Sequence, residues 1–175
     1  MYSDPEWLAQ LYQTSDTASL YFDVVAVHPY PSPSDMAPEC PPTTKWRVTA
    51  IERVRDTMVR NNDAPTPIWI TELGWSSHDN LPGTPNWQLG VSQQEQADFA
   101  VRALDLIATR FPYVKKTFWY EASDTAIEHS DAYTYLHENN FGLLRRDQTP
   151  KPAYTALRDY LADGSVPRPA SGYCD

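Results

Sequence analysis

Cysteine is scarce in this 175-residue sequence: Cys40 lies in a proline-rich stretch and Cys174 one residue from the end. Two such residues leave two alternatives open, a disulfide in an oxidising compartment or two free thiols. Neither belongs to a C-x-x-C pair, and His28, His78, His129 and His137 show no H-E-x-x-H spacing, so no metal is expected. Long apolar runs are also missing. Nothing approaches the roughly 20 residues of a membrane span, and Met1-Tyr2-Ser3-Asp4 lacks the basic and apolar regions of a secretory signal, so a soluble chain with no membrane partner is expected. Positive charge is in deficit, with 14 basic side chains against 23 acidic ones and a formal net charge of −9. Such a surface repels nucleic acid phosphates and anionic lipid, which argues against nucleic acid as a partner.

What is present suffices for one well-packed domain, because 41% of residues are hydrophobic and 13% aromatic. Asp4 before Pro5 reads as a helix cap and first-turn proline, with Leu8, Leu11 and Tyr12 at helical spacing. Phe22 to His28 is short and β-branched, like a strand buried on both faces of a parallel sheet. After a proline-rich loop through Pro42, Ile51, Val54 and Met58 mark a second helix from about Thr44 to Arg60. Ile68 to Glu72 is the next strand, and the loop from Gly74 to Val91 is long enough to suggest a function. Ser92-Gln93-Gln94-Glu95 is a capping box, opening a helix with an apolar stripe from Ala97 to Phe111 that Pro112 stops. The stripe reads as core, and no cofactor is expected. Lys116 to Glu121 forms a third strand, Thr149 and Pro150 open a final helix closed by Gly164, and residues 165–175 read as a tail or linker after a unit spanning 1–164. Crossovers of this length make the strands parallel, giving α/β architecture.

In parallel α/β folds, chemistry gathers beyond the carboxyl ends of the strands. Those ends carry His28 and Tyr30, then Glu72, then Trp119 and Glu121. Alternation along a strand would place Val24, Ala26 and His28 on one face, and Ile68, Ile70 and Glu72 on another. A largely dehydrated carboxylate needs a donor, and His28-x-Tyr30 would supply an imidazole N–H and a phenol O–H.

His28-x-Tyr30, Ile70-Thr71-Glu72-x-Gly74-Trp75, Phe118-Trp119-Tyr120 and Phe141-Gly142-Leu143-Leu144 with Thr149-Pro150-Lys151-Pro152-Ala153-Tyr154 resemble the last three βα units of a clan A retaining glycoside hydrolase. The resemblance runs from about Phe22 to Leu161 and implies a partial TIM (β/α)8 barrel of three parallel strands with flanking helices, the N-terminal strands missing. It implies that Glu72, at the end of strand seven, is the catalytic nucleophile acting on a β-linked glycan. His28 and Tyr30 on strand six would orient it and touch the sugar, and Trp119 on strand eight would lie under the sugar. Trp75, Trp87 and Glu121 are further substrate-binding candidates; flat indole faces suit the C–H faces of pyranose rings.

Such an enzyme pairs its nucleophile with a protonated carboxyl about 5 Å away. In the resembled family that acid is in an Asn-Glu pair on strand four, and nothing here matches it. The expectation is therefore a fragment that needs its missing N-terminal barrel segment, or self-association, to act on an oligo- or polysaccharide. The alternatives are an inactive carbohydrate-binding remnant and a barrel enzyme using Glu72 as a proton-abstracting base. Sugar, linkage, endo or exo action and compartment stay open. Polysaccharide hydrolases are commonly exported, so secretion of a full-length protein is an expectation only.

Overall fold

In a computed structural model, which describes residues 4–164, 166 and 174, Asp4 accepts hydrogen bonds from the amides of Glu6 and Trp7 and Pro5 opens α1 (Pro5–Thr14). There follow β1 (Val25–Val27), α2 (Ile51–Arg60), β2 (Ile68–Leu73), α3 (Gln93–Arg110), β3 (Val114–Trp119), α4 (Ala132–Glu138) and α5 (Pro152–Asp163). The three strands are parallel in the order β1-β2-β3, as the crossover lengths require. The capping box at Ser92 and Glu95 forms as expected, and α3 buries Ala97, Ala100, Val101 and Ile107 along one face. Gly164, in the left-handed region at φ +75°, closes α5.

Helices cover one face of the sheet. Val25, Val27, Ile68, Ile70 and Leu73 meet Leu8, Ile51, Val54, Met58, Phe99 and Phe111 in a single apolar cluster. Each large aliphatic side chain so buried contributes about 1.5–3 kcal/mol. The opposite face is open: Ala26 and Lys116 are exposed, Phe118 is 47% exposed, and Lys116 Nζ sits 4.3 Å from the centre of the Trp69 ring. The strand from Phe22 to His28 is thus buried on one face and not on both.

The strand register corrects a second expectation. Ile70 pairs with Thr117 and Leu73 with Trp119, so β2 takes three steps where β3 takes two. The extra residue reverses the side-chain alternation. Ile68, Ile70 and Leu73 all face the helices and are fully buried, while Glu72 lies on the cavity side. Simple alternation had placed Glu72 with Ile68 and Ile70.

Other differences lie at element ends. α2 starts at Ile51, after a 3-10 turn at Val48–Ala50, because Arg47 is extended and donates to the carbonyls of Ser32 (2.5 Å) and Trp46 (2.7 Å). α5 starts at Pro152, with Lys151 as its extended cap residue, and not at Pro150. α4 falls in a stretch the sequence reading left unassigned. Of the expected tail, only 166 and 174 are described; there, Cys174 forms a disulfide with Cys40, so the pairing alternative is the one realised. Among the described residues, no helix is long and apolar enough to cross a membrane, and no group of three or more His, Cys, Asp or Glu could hold a metal ion.

Candidate active site

The carboxyl ends of the strands converge on a cavity of about 710 Å³. His28 and Tyr30 reach it from the loop leaving β1, Glu72 from β2 and Tyr120 from the residue after β3. Tyr30 Oη donates to Glu72 Oε2 at 3.3 Å, and His28 Nδ1 lies 3.4 Å from the same oxygen. Both contacts fall on Oε2, and Oε1 has no hydrogen bond among the described residues. Burial drives the Tyr30 phenol well above its ordinary pKa, and the charge of Glu72 adds to that, so the hydroxyl stays a donor. Burial pushes His28 below its usual value, opposed by the Glu72 charge, which favours a neutral ring.

Gly74 explains why glycine follows the carboxylate so closely. A Cβ there would stand 2.0 Å from the Tyr120 carbonyl oxygen and 3.2 Å from Phe141 Cδ1, so only glycine lets the end of β2 pass the end of β3 at this distance. Behind the cavity, Lys151 is buried to 1% exposure and donates to Ser77 Oγ (2.9 Å), Asp124 Oδ1 (2.7 Å) and the Asn140 carbonyl (3.0 Å). Gln96 Nε2 donates to the Trp75 carbonyl at 2.8 Å. Together they fasten the loop after Glu72 to the segment containing Phe141, whose ring meets Tyr30, Tyr120 and His137 edge-on at 5.0–6.0 Å.

The remaining candidates are divided. Trp87 borders the cavity with 56% of its surface exposed. Trp75 touches the cavity but is 1% exposed; its ring packs beside Phe99 and Trp119 and its Nε1 donates to the Met36 carbonyl at 2.9 Å, so it is a core residue with no face to offer a sugar. Trp119 packs on the helix side of the sheet with Ala100, Val101 and Leu157 and does not line the cavity. The aromatic ring at the end of β3 that does so is Tyr120. Glu121 is also off the cavity: its backbone pairs with Phe141 and Leu143, and burial, with Asp124 and Glu138 nearby, raises its carboxyl above the usual range.

The sequence reading missed Tyr120, Trp46, His137 and Glu138, all on the cavity wall. For the last two a signal existed. Asp131 caps α4 by accepting from the amide of Thr134 at 2.8 Å, an Asp-x-x-Thr start that would have placed His137 and Glu138 at a helix end.

No curated protein matches this sequence. Among solved structures, the chain is similar to a GH2 beta-galacturonidase from Eisenbergiella tayi (TM-score 0.60, 19% identity, 89% of this chain and 26% of that one). It is also similar to a family 39 glycoside hydrolase from Bacteroides cellulosilyticus WH2 (TM-score 0.57, 24% identity, 85% and 29%). A third is the beta-glucuronidase of Bifidobacterium dentium (TM-score 0.55, 22% identity, 87% and 22%). These likenesses concern the fold, and the chain spans less than a third of the length of each of these structures. The model of the family described as glycosyl hydrolase catalytic core matches residues 2–146, most of the chain. The protein therefore belongs to the glycosyl hydrolase catalytic core family.

Proposed function

We propose that the chain supplies the nucleophile half of a retaining glycoside hydrolase acting on a β-linked glycan, with Glu72 as nucleophile. The observation that carries this reading is the Glu72 carboxylate at the end of a parallel strand, one oxygen held by Tyr30 and His28 and the other without a hydrogen bond among the described residues, at the wall of a cavity large enough for sugar rings. In the reaction, Glu72 attacks the anomeric carbon and forms a glycosyl ester as the bond to the leaving oxygen breaks; water then hydrolyses the ester. Tyr30 and His28 keep the carboxylate aimed. Tyr120 and Trp87 offer ring faces to the sugar, the part first expected of Trp119.

The three strands correspond in this reading to strands six to eight of a (β/α)8 barrel, and the open sheet face carrying Ala26, Trp69, Lys116 and Phe118 is the barrel interior. The remaining strands come from a segment outside this chain or from a partner copy, and the general acid/base from a segment outside this chain. That the similar solved structures are about three to four times longer supports this.

The test is covalent trapping with 2-deoxy-2-fluoro glycosides carrying a dinitrophenolate leaving group, which departs without an acid. Peptide mass analysis should locate the label on the peptide containing Glu72. Label on a peptide lacking Glu72 would overturn the assignment, and glycan binding without any label would favour the carbohydrate-binding remnant.

A further inference from the structure

Among the polar groups of the residues lining the cavity, Glu72 Oε1, the Tyr120 hydroxyl and the whole carboxyl of Glu138 have no hydrogen bond to the described residues. The first is the attacking atom of the reaction already proposed. The last is unassigned. Of the other carboxyls near the site, Asp124 is committed to Lys151 and Asp131 to capping α4.

Glu138 is the last residue of α4, and its backbone is pinned on both sides. His137 before it is 8% exposed, with Phe141, Trp87 and His78 around its ring at 5.0, 6.4 and 6.0 Å. Asn139 after it is fully buried; its Oδ1 accepts from Thr125 Oγ1 (2.5 Å) and the Ile127 amide (2.9 Å), and its Nδ2 donates to the carbonyls of Ile127 and Tyr135 (2.9 Å each). A solvated surface glutamate needs none of this. A carboxyl that must meet a ligand in a fixed place does, because a preorganised acceptor loses little entropy on binding.

Resting on the glycosidase reading above, we propose that Glu138 is a substrate-binding residue whose carboxyl accepts hydrogen bonds from ring hydroxyls of the sugar attacked by Glu72. Its surroundings suit that role. Tyr30, Tyr120 and Phe141 make the wall beside it largely aromatic, and a pyranose ring lying on such a wall directs its equatorial hydroxyls outward at its rim, where an acceptor must stand. Burial and the charge of Glu72 raise the Glu138 carboxyl above its ordinary range, opposed by His129, which agrees with a site whose missing neighbour is a hydroxyl donor.

The experiment is calorimetric titration of the 175-residue chain with a panel of neutral β-1,3- and β-1,4-linked gluco-oligosaccharides, comparing wild type, Glu138→Ala and Glu138→Gln, with thermal unfolding of each. A hydrogen bond to a charged group is worth roughly tenfold or more in affinity, so Glu138→Ala should weaken binding by about that factor with an unchanged melting temperature. The Gln variant keeps one acceptor and the side-chain volume, and should recover part of the loss. Monodeoxy versions of the binding sugar separate contact from folding: the analogue lacking the relevant hydroxyl should bind wild type more weakly than the parent sugar does, and Glu138→Ala no worse. Affinity of Glu138→Ala within twofold of wild type overturns the proposal and leaves the glycosidase reading standing. Wild-type protein that binds none of the panel and takes no fluoroglycoside label overturns both.

Discussion

Tyr30 and Glu72, 42 positions apart in sequence, meet at 3.3 Å through a single oxygen, Oε2, while His28 approaches that oxygen from 3.4 Å. Two neighbours on one oxygen leave the other free and fix the plane of the carboxylate. Replacing Tyr30 with Phe removes a donor and keeps the ring, which also packs edge-on against Phe141 at 6.0 Å. The rate of labelling by an activated fluoroglycoside should fall roughly tenfold, in line with loss of a hydrogen bond to a charged group, and the melting temperature should hardly move. An unchanged labelling rate would mean that the phenol does not orient Glu72.

Gly74 tests the backbone that presents this pair. A methyl group at 2.0 Å from the Tyr120 carbonyl cannot be accommodated by a side-chain rotation, since the obstacle is main chain. Gly74→Ala should therefore destabilise the fold by about 1–3 kcal/mol, the range for overpacking, and should also reduce labelling by moving Tyr120 relative to Glu72. Urea unfolding of the purified variant measures the first effect and mass spectrometry the second.

These two sites mark where the sequence was readable and where it was not. Glycine and glutamate at a strand end, the Ser92 box and the Pro5 and Gly164 boundaries are local signals, and local chemistry decides them. Parity is not local. Counting alternate residues from Ile68 puts Glu72 among buried aliphatics, and counting along β3 leaves Trp119 and Tyr120 undecided; the extra residue between Ile70 and Leu73 settles the first and is visible only once β2 and β3 are paired. Trp75 misled for a similar reason: an indole after a catalytic candidate looks like a sugar platform until α3 brings Phe99 onto it at 5.6 Å. Glu138, which in sequence shows only as the reverse of an Asn-Glu pair, could not be placed at the site because its position depends on Asn139 closing the loop from Thr125 to Ile127.

Lys151 predicts a different kind of failure. Its ammonium and the Asp124 carboxylate are nearly withdrawn from solvent, with 1% and 8% side-chain exposure. Lys151→Met would leave Asp124 charged and unpaired, at a cost of about 3–5 kcal/mol. Adding Asp124→Asn to that variant should return part of the stability, since the buried charge is then gone. A double variant no more stable than the single one would show that Lys151 acts through Ser77 and Asn140 alone.

The Cys40–Cys174 disulfide joins residues 134 positions apart. Closing so long a loop restricts the unfolded chain, and the chain-entropy model assigns about 4–5 kcal/mol to a loop of this size. Reductant should lower the melting temperature of the wild type markedly. The same treatment should leave a Cys40→Ser/Cys174→Ser variant, already less stable, unchanged.

Acid sensitivity should trace to His137. Burial, reinforced by His78, takes this imidazole from a usual value near 6.5 to about 4, so the folded protein holds it neutral. Above pH 6.5 neither the folded nor the unfolded chain binds a proton there, and His137 has no effect on the pH dependence of stability. As the pH falls from 6.5 towards 4, the unfolded chain takes up a proton that the native state refuses, and stability declines by up to about 3 kcal/mol from this group. His137→Gln, which cannot titrate, should flatten the slope of unfolding free energy against pH across that window while leaving the slope above pH 7 as it was. If wild type and variant show parallel curves between pH 6.5 and 4, the ring protonates in the folded state and the wall of the cavity at His137 is wetter than its burial indicates.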